Sequence, residues 1–404
     1  MEAEKKTEER KKTAALELLK HILDIPSVNG KDREQRVADY LAEYLRGKGM
    51  ETTVQLIDEH HGNLIGVLKG KTEETILFNG HLDTVPYGDI QEWNTNPAVC
   101  EEQDGRFYAR GASDMKSGLA VMTFVLGELA QSGYVPEKTI VFVGTCDEER
   151  GGLGAREVIK KYPDLFPELV MIGEPTSCQA GVAQKGCIWL KLTVSGKTSH
   201  GAEPWQGINA LEQGFDLLGD LREELQGEEH PVLGRSTLQI TMAEGGIAPN
   251  MTPDRAQFLA DIRIVPPLDE KKVLNRLEYL IEKRCEEYKG ELVFVPEISN
   301  YRMPVETDSE NQWLHKLKGL IGDEVREVGI NYFTDASIFL TAWPDCPVLL
   351  FGPGEPQMCH KPNEYVEISK YFEAIQVMEK CCRHIRSVYK ELHADHKTGA
   401  ADNK

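Results

Sequence analysis

Two patterns of hydrophobic residues alternate along the first half of the chain. Short apolar runs bounded by polar residues or glycine predict buried strands, and apolar residues repeating every three or four positions predict helices. The predicted helices are 13–23, 32–48, 117–131 and 153–162, and the predicted strands are 63–68, 75–78, 106–109, 138–145 and 168–173. This alternation favours the α/β class, with a mixed, largely parallel sheet and helices on both faces.

The pattern changes after residue 186, where strands with one exposed face replace the apolar runs. The predicted order from there is strand 188–194, helix 209–225, strands 236–242 and 255–265, helix 268–288 and strand 291–296. This is the split βαβ order of a ferredoxin-like α+β domain, in which a four-stranded antiparallel sheet carries two helices on one face. The α/β pattern then resumes with helix 312–321, strand 348–351 and helix 368–392.

We therefore expect one α/β domain that is interrupted by a smaller domain. Residues 1–186 form the first part of the larger domain, residues 187–299 the inserted domain, and residues 300–404 the second part of the larger one. An insertion of about 110 residues lies within the usual size range of a domain. Its sheet has free edges, and edge-to-edge pairing would join two chains as a homodimer.

Charge and composition exclude several classes of function. The formal net charge is −20, whereas a nucleic-acid interface needs clustered Lys and Arg, so we expect no nucleic-acid partner. No stretch approaches the ~20 apolar residues of a membrane-spanning helix, and the charged segment 1–12 does not resemble a secretory signal. Nine scattered cysteines without a C-x-x-C pair argue against a disulfide framework and indicate a cytoplasmic protein.

Candidate chemistry begins just after the strand 75–78. His81 and Asp83 are two residues apart, so on an extended segment their side chains point the same way. A metal-binding His needs its ring held in one tautomer, and Asp83 is placed to hold it. A strand-end His capped by an Asp, with no metal, explains these two residues equally well.

Further acidic and imidazole residues fall at the same edge of the predicted sheet. They are Asp114 at the start of a helix, Glu148 and Glu149 after strand 138–145, Glu174 after strand 168–173, and His360 after strand 348–351. Taken singly, each has an ordinary explanation as a helix cap, a solvated turn, a loop residue or a surface His. Because ligands of open α/β sheets bind at the carboxyl ends of the strands, the residues together indicate a site.

The residue types at this edge suit metal ions. Two His and three carboxylates, with two further acids, can hold two divalent ions ~3.5–4 Å apart that share one bridging carboxylate. Mixed imidazole and carboxylate ligands favour Zn or Co over Mg and leave Mn open. Acids beside buried strands also need a cation to offset their lost hydration. The sequence therefore predicts a centre with two divalent metal ions.

Six short motifs carry a family resemblance. They are His81-Leu82-Asp83-Thr84-Val85-Pro86, Gly111-Ala112-Ser113-Asp114-Met115-Lys116-Ser117-Gly118, Asp147-Glu148-Glu149, Gly173-Glu174-Pro175-Thr176, Ser199-His200-Gly201-Ala202 and His360-Lys361-Pro362-Asn363-Glu364. These motifs and their order resemble the M20 metallohydrolases, in the branch of acetylornithine deacetylase and succinyl-diaminopimelate desuccinylase. The resemblance extends from about residue 10 to 390. The resemblance implies a zinc-peptidase-like catalytic domain, with the inserted domain serving as lid and in dimerisation.

The resemblance also implies which residues bind the metals. Asp114 would bridge the two ions. His81 and Glu174 would complete one site, and Glu149 and His360 the other. The ions would be zinc, with cobalt or manganese as alternatives.

Other residues take catalytic or substrate-binding roles by the same resemblance. Glu148 would be the general base and acid, and Asp83 would orient a ligand. His200 would reach the active site of the partner subunit, while Asn250 and Arg263 would hold the substrate carboxylate. An arginine suits that task because its planar fork pairs two oxygens.

The implied activity is removal of the acyl group from an N-acyl amino acid, of the N-acetylornithine or N-succinyl-diaminopimelate type, by a metal-activated water. Relatives with Glu at the position of Glu174 tend to be deacylases, and those with Asp tend to be peptidases. Two alternatives remain open, namely a dipeptidase or carboxypeptidase of the same family and a catalytically silent binding protein on this fold. The expected partners are a small-molecule N-acyl amino acid and a second copy of the chain, with no membrane.

Overall fold

A computed structural model describes residues 2–227, 229–322 and 324–384 of the chain. They divide into two compact units, the first comprising the residues up to Ala180, Asp308–Arg326 and those from Ala342 onward, the second Gly181–Thr307 and Glu327–Thr341. The helices are α1 Glu2–Leu23, α2 Gln35–Gly47, α3 Lys116–Gln131, α4 Leu153–Lys161, α5 Ala210–Leu225, α6 Glu270–Glu287, α7 Gln312–Ile321, α8 Ala336–Ala342 and α9 Ile368–His384. The strands are β1 Glu51–Leu56, β2 Gly62–Leu68, β3 Thr72–His81, β4 Glu101–Gln103, β5 Arg106–Tyr108, β6 Lys138–Thr145, β7 Pro167–Ile172, β8 Ala180–Gln184, β9 Gly186–Ser195, β10 Glu229–His230, β11 Gly234–Arg235, β12 Thr237–Gly245, β13 Arg255–Ile264, β14 Val293–Arg302, β15 Val305–Glu306, β16 Glu327–Ile330, β17 Val348–Leu350 and β18 Tyr365–Glu367.

The first unit is organised around a mixed sheet in the order β1-β2-β6-β3-β7-β17. β1, β2 and β6 pair antiparallel, whereas β6, β3, β7 and β17 are parallel to one another. Ile76, Leu77 and Phe78 of the central strand β3 have no exposed surface, as expected for a parallel strand covered on both faces. The predicted α/β class with a mixed, largely parallel sheet is confirmed.

Helix α3 lies deep in the first unit. Nearly every residue from Lys116 to Leu129 is buried, which explains why this helix is apolar around its whole circumference. Its first turn packs on the loop that follows β7, and a Cβ added to Gly118 would overlap the carbonyl oxygen of Gly173. Glycine is therefore required here, and it brings the start of α3 against the end of β7.

The second unit contains a four-stranded antiparallel sheet in the order β12-β13-β9-β14. Along the chain its elements follow one another as β9-α5-β12-β13-α6-β14. Leu217 and Leu221 of α5 and Leu277 of α6 share one apolar cluster with Phe258 of β13. A smaller strand group in the same unit pairs β8 with β15 and β16.

Several elements differ from the sequence prediction. Helix α1 begins eleven positions earlier than predicted, because the polar and exposed residues 5–12 continue the helix without adding to its apolar face. Short strands such as β1, β8 and β16 were not predicted, since four to six residues carry too little pattern. The last part of the helix predicted at 368–392 lies outside the described residues, which end at His384.

The predicted domain boundaries can be compared with the two units. The second unit begins close to the expected boundary at residue 187, but it also includes Glu327–Thr341, a segment from the part of the chain that was assigned to the larger domain.

Within the described ranges, no helix is both long enough and apolar enough to cross a bilayer.

Candidate metal centre

Four parallel strands of the first unit end at one edge of the sheet, and each is followed by a predicted ligand. His81 is the last residue of β3, Glu149 follows β6, Glu174 follows β7, and His360 lies on the loop after β17. The register pairs His81 with Thr145 at the end of β6. Parallel pairing therefore collects polar side chains that are far apart in the sequence.

Four side chains meet closely at this edge. His81 Nε2 lies 3.1 Å from Asp114 Oδ1, and His360 Nε2 lies 3.4 Å from Asp114 Oδ2. His360 Nε2 also lies 3.1 Å from Glu149 Oε2. Asp114 thus has one carboxylate oxygen on each imidazole, which is the arrangement that a bridging ligand needs.

The same side chains strongly influence one another's protonation. Burial opposes charge on His81, but the Asp114 and Asp83 carboxylates outweigh it and raise the pKa of His81 well above its usual value. Hydrogen bonds to Asp114 and Glu149 raise the pKa of His360 to about 10. Burial and the charge of Asp114 raise the pKa of Glu149. The cluster therefore holds an excess of negative charge that attracts positive charge.

These residues fit a divalent cation. One ligand atom from each of His81, Asp114 and Glu149 can be chosen so that all three lie within 4.8 Å of one another. Imidazole nitrogen together with carboxylate oxygen is a ligand set typical of Zn²⁺. A cation held here would compensate the burial of acids such as Asp114, which is only 6% exposed.

The ring of His81 is fixed in one orientation. Its Nδ1 lies 2.9 Å from the carbonyl oxygen of Asp83 and 3.6 Å from the Asp83 carboxylate. Nδ1–H therefore donates to the carbonyl, and Nε2 faces Asp114. Nε2 donates its proton to that carboxylate as long as no cation is present, and it would offer its lone pair to a cation bound there. The orienting contact that was expected from the Asp83 side chain is made by its backbone.

The Asp83 carboxylate has a different task. Its Oδ1 accepts a hydrogen bond from the backbone N–H of Glu148 at 3.1 Å, and its Oδ2 accepts one from Glu149 N–H at 3.1 Å. It therefore fixes the turn that carries the expected general base and one expected ligand. The Glu148 side chain is buried beside His81, on whose protonation its charge acts.

Glu174 is also buried at this edge, with 2% of its surface exposed. Its charge helps to raise the pKa of His81, but among the described residues only His81, Asp114 and Glu149 bring ligand atoms within 4.8 Å of one another, so the role of Glu174 as a ligand stays a prediction. The tight contact between Gly118 and Gly173 fixes the backbone that presents Glu174 next to the start of α3.

Glu364 is a residue whose role sequence reasoning missed. Its Oε1 accepts from the backbone N–H groups of Ser113 and Asp114 at 2.8 and 2.9 Å, and its Oε2 accepts from Gly111 N–H at 3.0 Å. Arg110 Nη1 donates to the same Oε2 at 2.7 Å. Glu364 thus holds the loop that presents Asp114. The only sequence signal was its place in the motif that begins at His360.

The second unit contains the other predicted site residues. His200 and Asn250 are exposed and lie on neighbouring loops, joined by Gly201 N–H donating to the Asn250 carbonyl at 2.8 Å. The His200 ring accepts a hydrogen bond through Nδ1 from Ala202 N–H at 3.1 Å. These contacts bring His200 and Asn250 together. Their roles in catalysis and substrate binding stay predictions.

Arg263 lies on β13 and is already paired. Its Nε and Nη2 donate to the two oxygens of Asp261 at 2.7 and 3.0 Å. The guanidinium also lies 5.7 Å from the ring centre of Phe333, with Arg302 5.4 Å from the same ring. A guanidinium has five N–H groups, and the contacts with Asp261 use two of them. The role of Arg263 in substrate binding stays a prediction.

A family model matches much of the chain. The model of the peptidase family M20/M25/M40 matches residues 77–384. A probable succinyl-diaminopimelate desuccinylase of Staphylococcus epidermidis is 27% identical over 394 residues, covering 90% of this chain and 95% of the relative. An acetylornithine deacetylase of Vibrio cholerae is 28% identical over 379 residues, covering 90% and 97%.

The same fold occurs in solved structures. A dinuclear metal-binding peptidase of the M20 family from Bacillus subtilis superposes with a TM-score of 0.70 at 14% identity, covering 93% of this chain and 98% of that one. At this identity the likeness concerns the fold alone. The family model, the two relatives along nearly the whole chain and the converging ligands agree: this chain belongs to the peptidase family M20/M25/M40 and is a hydrolase of that family.

Proposed function

We propose that the protein is a metal-dependent amidohydrolase that removes the acyl group from an N-acyl amino acid, of the N-acetylornithine or N-succinyl-diaminopimelate type. Two divalent ions per chain, most simply zinc, would occupy the cluster at the sheet edge. The observation that carries the proposal is the position of Asp114, with one carboxylate oxygen within 3.4 Å of each of two imidazoles. The names of the two relatives support the substrate class.

The ligand set divides in two around Asp114. Glu149 and His360 contact each other and would hold one ion, whereas His81 and Glu174 would hold the other. Bound ions of this kind polarise a carbonyl oxygen and lower the pKa of a water molecule. The protein's part is to hold both imidazoles against Asp114, so that a bound ion would take the place of the protons that the acids otherwise keep on the rings.

Glu148 would carry the proton in the reaction. As general base it takes a proton from the attacking water, and as general acid it gives that proton to the leaving amine. Its carboxylate is buried, and its backbone N–H is fixed by Asp83. A carboxylate whose position is already restricted loses little entropy on reaching the transition state, and this favours proton transfer.

The second unit would supply substrate recognition. Asn250 and the remaining N–H groups of Arg263 would bind the substrate carboxylate, and His200 would stabilise the developing oxyanion in the active site of a partner subunit. This arrangement needs a homodimer. Two chains could pair through β12 or β14, the end strands of the second unit's sheet.

None of the nine cysteines forms a disulfide, which supports a cytoplasmic setting.

Substrate and metal can be tested in one experiment. The protein is stripped with a chelator, reloaded with Zn, Co or Mn, and assayed on N-acetylornithine, N-succinyl-diaminopimelate and a set of dipeptides. We expect turnover of an N-acyl amino acid to return on reloading, with two ions bound per chain. His81→Ala should lower the count towards one ion, because it removes a ligand of one site only.

The outcomes separate the alternatives. Turnover of dipeptides without turnover of N-acyl amino acids would replace the deacylase with a peptidase of the same family. Two bound ions without turnover of any amide would indicate a silent binding protein. Failure to bind any ion would contradict the proposed centre itself.

A further inference from the structure

The segment 27–34 lies between α1 and α2, next to the residues that follow β3. Its backbone is joined to the residues that follow β3, because Asn29 N–H donates to the Thr84 carbonyl and Thr84 N–H donates to the Ser27 carbonyl, both at 2.9 Å. The side chains of Asn29 and Glu34 are buried, with 6% and 0% of their surface exposed. Buried polar groups are costly unless they are hydrogen-bonded, so their partners are informative.

Asn29 joins two carboxylates. Its Nδ2 donates one hydrogen bond to Asp83 Oδ2 at 2.8 Å and a second to Asp147 Oδ1 at 3.1 Å. Two acids this close would repel each other without a shared donor between them. Asp83 in turn accepts from the N–H groups of Glu148 and Glu149. One amide group thus ties the loop after β3 to the turn after β6.

Glu34 holds the same turn from another direction. Its Oε2 accepts a hydrogen bond from the backbone N–H of Asp147 at 2.8 Å. Asp147 has a φ of +61°, a left-handed conformation that residues other than glycine adopt only where their surroundings enforce it. The second carboxylate oxygen of Asp147 accepts from Leu153 N–H at 3.2 Å. Contacts on its amide and on both side-chain oxygens enforce this conformation.

We propose that Asn29 and Glu34 are positioning residues for catalysis, which fix the turn 147–149 so that the carboxylates of Glu148 and Glu149 face the metal centre. This inference rests on the roles proposed above for Glu148 and Glu149. The hydrogen bonds of Asn29 and Glu34 go to Asp83 and Asp147, which are not among the expected metal ligands. Each acts through the backbone conformation at Asp147 and through the hydrogen bonds of Asp83.

The two contacts differ in what can replace them. Glu34 needs only an oxygen acceptor, and the carbonyl of a glutamine supplies one at the same distance. Asn29 needs a donor that reaches two carboxylates, and alanine or serine cannot span both. An aspartate at position 29 would place a third acid beside Asp83 and Asp147, so Asn29→Asp should be more harmful than Asn29→Ala.

The test uses the full chain loaded with zinc. Asn29→Ala and Glu34→Ala should each lower kcat about 10–100-fold, the usual effect of removing a group that supports a metal ligand, with KM changed less than about twofold. Glu34→Gln should restore kcat to within about threefold of the wild type. Independently of activity, the amides of 147–149 should exchange hydrogen faster in both alanine variants than in the wild type.

Asn311→Ala is the matched control. Asn311 lies in the same unit, and its side chain accepts from Trp313 N–H at 2.9 Å at the start of α7. This variant should lower the melting temperature without changing kcat or exchange at 147–149. If Asn29→Ala does not fold, Asn29→Ser replaces it, with the same loss of kcat expected.

Three results would overturn the inference: unchanged kcat in the folded alanine variants, unchanged amide exchange at 147–149, or no rescue by Glu34→Gln. Failure of the proposed function looks different, because Glu148→Ala would then keep its turnover. Loss of activity in Glu148→Ala together with full activity in Asn29→Ala would remove the positioning roles and leave the proposed function intact.

Discussion

Most candidate residues of the first unit are presented differently from those of the second, and His360 is an exception, because its side chain is 53% exposed. In the first unit, Asp83 and Asp114 are buried and accept several hydrogen bonds or contacts from fixed groups. In the second unit, His200 and Asn250 are exposed and held by few local contacts, and Arg263 is paired with Asp261. The first arrangement suits groups that must be in place before a reaction, and the second suits groups that meet a ligand from solution.

This difference has an energetic reason. Buried acids need donors or cations whether or not a substrate is present, so the fold of the first unit must supply donors such as Asn29 for Asp83 and Arg110 for Glu364. An exposed imidazole is hydrated and needs no such support. Mutations of the residues that support these buried acids should therefore affect catalysis and stability together. Those at exposed residues of the second unit should affect catalysis alone.

The sharpest test of the first region is Glu148→Ala. We expect kcat to fall by about 10³-fold or more, because the proton is then left without a positioned carrier. Bound metal should stay at the wild-type level, since the expected ligands remain. Metal analysis and steady-state kinetics on the same sample measure both quantities.

Glu102→Ala provides the control for this variant, since Glu102 is an exposed acid on β4. It should retain full activity. A Glu148→Ala protein that works at a near-normal rate would contradict the assignment of the general base.

The second region is tested by His200→Ala. We expect kcat to fall by about 10²-fold, the usual size of the loss when one donor to an oxyanion is removed. The melting temperature should not change, because the ring is exposed and its hydrogen bond with Ala202 N–H is local. His315→Ala, at another exposed histidine, should change neither quantity.

A result in which His200→Ala lowers only stability would show that the ring has a structural task. Light scattering of the wild type adds a second check. A monomer at micromolar concentration would exclude the action of His200 in a partner subunit.

The smallest effect concerns the pH dependence of stability in the first unit. Burial and the charge of Asp83 raise the pKa of Glu34 from 4.5 to about 9. The folded state then keeps a proton that the unfolded state has lost, so raising the pH between these two values should favour unfolding. In the chelated protein this slope should reach up to about 1.4 kcal/mol per pH unit.

Glu34→Gln removes this titration and should flatten the pH dependence of the free energy of unfolding. Urea unfolding of both proteins at pH 5.5, 7 and 8.5 measures the difference. Equal slopes in the two proteins would show that Glu34 is ionised in the folded state.

Much of the first unit's fold could be predicted from sequence. The apolar runs that became β3, β6 and β7 have the length of buried strands and no competing helical period. Strand β8 and helix α8 escaped prediction because short segments owe their conformation to the neighbours that they pair with. The family motifs indicate the site even though these short elements were not predicted, since the motif residues mark the edge of the sheet at which the candidate ligands lie.

The sequence by itself determined the residue types of the site and their order. His81, Asp114, Glu149, Glu174 and His360 could be selected because each follows a predicted strand or begins a predicted helix. Polar residues at such positions can be recognised from the sequence alone. The family model that matches the chain rests on the same local information.

Only the tertiary structure decided which groups support these residues. Asn29 and Glu34 lie in a short polar connection, where nothing in the sequence distinguishes them from solvated loop residues. Glu364 lies about 250 positions from the loop that it holds, as measured to Asp114. The physical reason is that burial and hydrogen-bond geometry are properties of the folded chain. A polar side chain therefore becomes a support for the site only when the fold removes it from water next to a matching donor or acceptor.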